Sequence, residues 1–213
     1  MTVDELLSAR VRSLRKHRAY TLEGLAQRSG VSRSMISLIE RGQTSATAAV
    51  LGKLAQALQV PLAALFADER QAQAPQPLAR ADAQLCWRDP ATGYERRQLS
   101  PVGFPAPFEM VEVVFPPGQR VAFDNGLRSQ PLHQQLWLLQ GELHLSLGTQ
   151  SWHLQAGDCL AMVLDQTLVF SNPGRAPARY LLALAALDGS PEPLPVVFSG
   201  EMDDSETLGA LHP

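Results

Sequence analysis

The spacing of the apolar residues changes once along the chain, near residue 66, and no single layer of secondary structure accommodates both halves. Before that point apolar side chains recur three and four residues apart, as on helices; beyond it they fall in short alternating runs broken by Gly and Pro, as on strands. Leu7, Val11 and Leu14 share one helical face. Arg10, Arg12, Arg15, Lys16 and Arg18 take the other face or the helix end, and Arg12, Arg15 and Lys16 read as a solvated cationic surface. Thr21 caps a second helix carrying Leu22, Leu25 and Ala26, which Gly30 stops in the left-handed conformation. Ser32 caps a third, with Ile36 and Ile39 on its buried side and Arg41-Gly42 at its close. Leu51, Leu54, Ala55 and Leu58 mark a fourth, and Pro61 opens a short fifth with Leu62, Leu65 and Phe66. Five helices are expected within residues 1–66.

Residues 67–81 lose the periodicity and gain Gln, Ala and Pro, as in a semi-rigid linker. Within 82–190, strands are expected at 108–115, 134–140, 142–147, 151–154, 159–164, 167–171 and 179–187, separated by turns such as Pro116-Pro117-Gly118, Gln140-Gly141 and Asn172-Pro173-Gly174. Strands this short, without interleaved helices, belong to an antiparallel sandwich or small barrel. Residues 191–213 form an acidic, Pro-containing tail in which Val196, Val197 and Phe198 offer an edge strand or a docking segment.

Charge follows the same division. The 213 residues carry a net charge of −3, but residues 1–66 hold nine basic and four acidic side chains while the remainder hold nine and seventeen. A cationic head and an anionic body point to two domains with different partners. Acids at Asp4 and Glu5 stand where an export signal needs positive charge, so no export is expected. The longest strongly apolar run, Tyr180 to Leu187, is eight residues, against about 20 for a bilayer crossing, so no membrane partner is expected. Cys86 and Cys159 lack the paired spacing of a zinc site or a disulfide framework, which fits a reducing cytoplasm.

Two helices of about eight residues flanking Gly30-Val31 leave the second free to enter a major groove. Ala26, Gly30, Val31-Ser32, Ile36-Ser37 and Glu40-Arg41-Gly42 resemble the phage-repressor and Cro-like helix-turn-helix of the XRE family over residues 5–66. The resemblance implies a recognition helix from Ser32 to Glu40 with Arg33, Ser34 and Ser37 toward base edges. It implies double-stranded DNA as partner, with Thr21, Gln27, Ser32, Arg41, Gln43 and Thr44 among the contacts near helix ends. Arginine can pair bidentately with guanine, which makes Arg33 the leading specificity residue. Leu38 departs from the family's usual polar residue; a thymine methyl or a neighbouring subunit would suit it.

The turns from Pro116 to Gly174 and the spacing of Gly141 and Gly157 resemble a cupin, a double-stranded β-helix of jelly-roll type. The fold class expected is therefore multidomain α + β, a five-helix DNA-binding head followed by an all-β cupin domain. A catalytic cupin holds a metal with a His-x-His pair, a Glu and a later His. Here the corresponding places are residues 127–130 (Leu-Arg-Ser-Gln), Gln134 and Leu168, so neither metal nor other cofactor is expected, and no enzyme. His133, by strand alternation, points away from Gln134. A two-residue turn at Gly148-Thr149 would oppose His144 and His153 as a solvated or interface pair, with Leu143, Leu145, Leu147, Trp152 and Leu154 on the core side. Gln134, Leu136, Leu168, Phe170 and Asn172 share the inward face, either as plain core or as an apolar ligand pocket; Arg120, Arg128 and His133 are candidates to meet a carboxylate at its mouth.

The combined expectation is a homodimeric transcriptional regulator, a repressor or dual regulator, whose cupin domain dimerises and senses a small metabolite. The alternatives are a regulator controlled by a protein partner, like an antitoxin module, and, ranked below it, a cupin enzyme steered to DNA by its head.

Overall fold

The computed structural model describes residues 2–60, 62–66, 76–126 and 132–186. The sequence's capping logic is realised at each start. Helix α1 (Val3–His17) opens with a capping box in which Thr2 and Glu5 satisfy each other's backbone N–H groups. Thr21, Ser32 and Thr47 accept from backbone N–H groups at the starts of α2 (Leu22–Ser29), α3 (Arg33–Glu40) and α4 (Ala48–Ala57). Gly30 ends α2 at φ +65°, a conformation that favours glycine.

The expected fifth α-helix is not formed among the described residues: the head has four there, and Leu62–Phe66 is a five-residue 3-10 helix. So short a segment closes few α-type hydrogen bonds, and the tighter turn suffices to bury Leu65 and Phe66. Those two join Leu7, Val11, Leu25, Ile36, Leu51, Leu54 and Leu58 in the core.

Among the described residues the second part carries ten strands: β1 (Cys86–Arg88), β2 (Glu95–Gln98), β3 (Glu109–Phe115), β4 (Arg120–Phe123), β5 (Leu132–Gln140), β6 (Glu142–Leu147), β7 (Gln150–Gln155), β8 (Cys159–Leu164), β9 (Leu168–Ser171) and β10 (Ala178–Ala186). They form two antiparallel sheets, β1-β2-β3-β10-β5-β8 and β4-β9-β6-β7. From β3 onward this is the eight-stranded jelly-roll order, two Greek keys wrapped into one double-stranded β-helix. The strands β1, β2 and β4, absent from the sequence expectation, are three or four residues long and rich in charge, too short to show a period. The expected tail strand at Val196–Phe198, and residues 67–75 of the expected linker, lie outside the described residues.

One glycine is dictated by a close approach. Gly141 joins β5 to β6 at φ +80°, and a Cβ there would lie 2.9 Å from the Pro177 carbonyl oxygen and 3.0 Å from the Ala178 Cα.

Head and barrel share one core. Helix α4 lies on β4 so closely that a Cβ on Gly52 would stand 3.0 Å from the Phe123 ring. Phe66 of the head meets Trp87 of β1 at 6.0 Å between ring centres, and Trp87 continues through Tyr94 to Phe115. These contacts place the 3-10 helix and α4 against the open end of the barrel.

Candidate nucleic-acid interface and barrel cavity

Helix α3 stands with Ile36 and Ile39 in the core, Glu40 turned onto Arg15 of α1, and Arg33, Ser34 and Met35 outward. Arg33 and Ser34 are exposed and Ser37 is half-buried, so all three expected base-facing residues lie on the accessible side of one helix. The Ser32 and Ser34 hydroxyls are 3.1 Å apart, and Ser32 also accepts from the Met35 N–H. Arg41 donates to the Ser37 hydroxyl at 2.6 Å and to Gln43 Oε1 at 2.8 Å. Three residues expected to touch DNA are therefore linked to one another before any DNA arrives. Thr21 and Gln27 are exposed on α2 and its cap, and Thr44 is half-buried in the turn before α4. Met35, 37% exposed on α3, was not singled out by the sequence. An apolar side chain at that place is suited to a thymine methyl, and its i+3 relation to half-buried Leu38 is the signal that marks it.

Arg15 is not part of a solvated face. It donates through Nε and Nη2 to both carboxylate oxygens of Glu40 at 2.6 and 2.8 Å, and through Nη1 to the Tyr20 carbonyl at 2.8 Å. The fork geometry of guanidinium on carboxylate explains why an arginine reaches here: it fastens the end of α3 to α1 with two parallel bonds. Arg10 likewise donates to the Ala64 carbonyl, across to the 3-10 helix. Periodicity places these residues on the polar side of α1 but is blind to what packs there.

A cavity of about 310 Å³ opens where the barrel meets the head. The head contributes Gly52, Ala55 and Leu62; the barrel contributes Leu132, Gln134, Leu164, Leu168 and Phe170 among others. The expected pocket residues divide accordingly. Gln134, Leu168 and Phe170 line the cavity; Leu136 is buried in the core behind it. Asn172 is buried but outside the cavity: its side-chain amide donates to the Phe115 and Ala176 carbonyls and its side-chain oxygen accepts from the Gly174 N–H, so it is spent organising the turn. His133 lies on the outer face of the six-stranded sheet, as alternation requires, opposite Ala185 and Val163. Arg120 is exposed at the start of β4 and does not line the cavity. Arg128, with the rest of residues 127–130, lies outside the described residues. Sequence reasoning missed Arg96 and Glu109, which face the same cavity from β2 and β3.

The donor set at the family's metal position does not fit a metal. Gln134 offers a neutral amide, already donating to Met162 Sδ at 3.7 Å, and Leu168 offers nothing. Among the described residues no three His, Cys, Asp or Glu side chains are grouped to hold an ion. The hairpin register does pair His144 with His153, rings 4.2 Å apart on the outer face, and His153 shares a hydrogen bond with Glu142 at 2.9 Å.

Residues 11–65 match the family model for the helix-turn-helix. The head is an XRE-type helix-turn-helix domain. The HTH-type transcriptional regulator SutR of Escherichia coli is 38% identical over 66 residues, which are 31% of this chain and 37% of SutR. The chain thus matches little more than a third of SutR's length. For the whole architecture, a crystal structure of an HTH_3 family transcriptional regulator from Vibrio cholerae superposes with a TM-score of 0.71, covering 87% of this chain and 98% of that one at 22% identity. The two chains share the fold, helix-turn-helix head and β body together. The cupin_2 domain of an XRE family transcriptional regulator from Enterobacter cloacae matches 45% of this chain and 98% of its own at 13% identity, with a TM-score of 0.39. The jelly-roll assignment rests on strand order. No described helix is long and apolar enough to cross a membrane.

Proposed function

We propose that this protein is a sequence-specific DNA-binding transcriptional regulator, dimeric through its barrel, whose operator affinity answers to a small molecule in the barrel cavity. The observation that carries this reading is the shared wall of the cavity: Gly52, Ala55 and Leu62 belong to the helix-turn-helix domain, so an occupant touches the DNA-binding head directly. A ligand that favours one seating of α4 on β4 biases the head, and coupling of about 1–3 kcal/mol changes affinity from several-fold to over a hundred-fold. The barrel acts here as a sensor and not as an enzyme, with Gln134 and Leu168 in place of metal ligands.

Dimerisation has a support of its own. On the outer face of the six-stranded sheet Trp137 is 49% exposed and pairs across strands with Leu181 and Cys159, and Val163 is exposed farther along the same face of β8. An exposed aromatic on an apolar sheet face suits a subunit interface. Two heads on a two-fold axis read half-sites about 34–36 Å apart or a multiple of it, far more sequence than one α3 reads.

The test is Arg33→Ala. Against a DNA site enriched by repeated selection from random sequence, affinity falls by about 1–3 kcal/mol, while binding to random DNA changes little. Equal losses on both reduce Arg33 to a phosphate contact and remove the assignment of α3 as the reading helix.

A further inference from the structure

Three charged side chains line the shared cavity: Asp124 is exposed at its mouth and accepts from the Gly126 N–H, while Arg96 and Glu109 stand deeper and form no ion pair with each other. Arg96 lies on β2, its Cα opposite Val113, and is 5% exposed although half of its neighbours in the wall are leucine and phenylalanine. Glu109 starts β3 on the inward parity of Val111, Val113 and Phe115, opposite Leu184. Among the described residues the barrel's ion pairs are Arg88–Glu95, Arg97–Glu112, Arg179–Glu112 and His153–Glu142, and neither Arg96 nor Glu109 enters one. Arg96 acts electrostatically on the Tyr94 hydroxyl, and its five guanidinium donors remain available to a further partner. The Tyr180 hydroxyl and Gln98 Oε1 are also buried, with no partner.

A guanidinium so deeply placed is costly unless an anion meets it, and a carboxylate is its best geometric match. A simple organic anion would satisfy Arg96 but would leave its charge in the same low-dielectric space as Glu109; a simple amine would do the reverse. A zwitterion answers both. The cavity's size, at the lower end of the roughly 300–1,000 Å³ range of ligand pockets, admits a small molecule only, and its Leu132, Leu164, Leu168 and Phe170 call for an apolar body.

We propose that the cavity binds a free amino acid with an apolar side chain, its carboxylate held by Arg96, its ammonium by Glu109 and its side chain by the leucines and Phe170. This inference rests on the effector reading above and names the effector's class.

The test uses the full chain, stripped of small molecules by dialysis. Calorimetry is run with the apolar L-amino acids from valine to phenylalanine, and with 4-methylpentanoate and 3-methylbutylamine, which are leucine without its amine and without its carboxylate. At least one amino acid is expected to bind, with leucine about tenfold or more tighter than either analogue. Glu109→Gln is expected to weaken the amino acid and strengthen 4-methylpentanoate; Arg96→Gln weakens both acids. Equal affinity for leucine and 4-methylpentanoate, an unchanged preference in Glu109→Gln, or no binding across the whole set overturns the proposal. The ligand series needs no variant, so misfolding of Arg96→Gln does not shelter it. Anisotropy on the selected DNA separates the two readings. An amino acid that binds but leaves DNA affinity unchanged keeps the class and removes the effector role. If native mass spectrometry of undialysed protein finds a retained molecule of another class that shifts DNA affinity, the effector role stands and the class falls.

Discussion

Glu40→Gln tests how α3, the helix proposed to read DNA, is held. Glu40 ends α3, and Arg15 grips both its oxygens while also bonding the Tyr20 carbonyl just before α2, so one guanidinium joins three segments of the head. The side chains are 13% and 6% exposed, which sets this pair apart from a surface salt bridge contributing at most about 1 kcal/mol. The glutamine keeps the shape but leaves the guanidinium without its counter-charge. Breaking one partner of a buried pair costs about 3–5 kcal/mol; because Arg15 retains some solvent, the lower figure applies, about 3 kcal/mol. Against a total stability of about 5–15 kcal/mol that is a large fraction. With a urea slope of about 1–3 kcal/mol/M, the unfolding midpoint followed by helix circular dichroism moves down by roughly 1–3 M. Replacing both residues, Arg15→Met with Glu40→Met, recovers most of the loss, since neither charge is then stranded. Specific DNA binding falls as well, although removing a negative charge near a phosphate backbone would by electrostatics alone raise it. A loss below about 1 kcal/mol, or a double variant equal to the sum of the single ones, refutes the claim that the pair is a buried clamp.

Three further outcomes are expected. Gly141→Ala destabilises the barrel by at least the roughly 1–2 kcal/mol of a left-handed alanine, with the clash against Pro177 added; a thermal midpoint equal to wild type would contradict the close approach. Trp137→Arg shifts the protein from dimer to monomer in sedimentation without changing its circular dichroism, and an unaltered dimer would place the interface elsewhere. In ligand-free protein, burial raises the Glu109 carboxyl above its ordinary value while Arg96 pulls it back in part. The folded state therefore holds this proton more tightly than the unfolded one, so the contribution is full below pH 4.5 and is lost as pH rises through the folded value. Urea titrations of wild type against Glu109→Gln accordingly show wild type losing ground from acid toward neutrality; a constant difference means Glu109 is not held away from water.

The site was legible in unequal parts, for physical reasons. Helix α3 follows from local chemistry: Ser32 as a cap, Gly30 as the stop before it and Ile36 and Ile39 as the buried face need only near neighbours along the chain, and each stands as expected. The long strands and the opposed His144 and His153 also follow from alternation and a two-residue turn. The cavity was half legible. Parity placed Gln134, Leu168 and Phe170 inward, but it treats Asn172 alike, and only the approach of the Phe115 and Ala176 carbonyls consumes that amide in a turn.

What the sequence by itself determined is the division into a cationic helical head and an anionic β body, with the cap, turn and core residues of each. These are local or periodic properties, written in spacing. What only the tertiary structure decided is which charged side chains go inside. Arg15 and Arg96 look like any surface arginine along the chain, yet one is clamped by a carboxylate twenty-five residues away and the other faces a cavity walled by both domains. Long-range packing sets their surroundings, and no pattern along the chain encodes a neighbour that the fold brings from elsewhere.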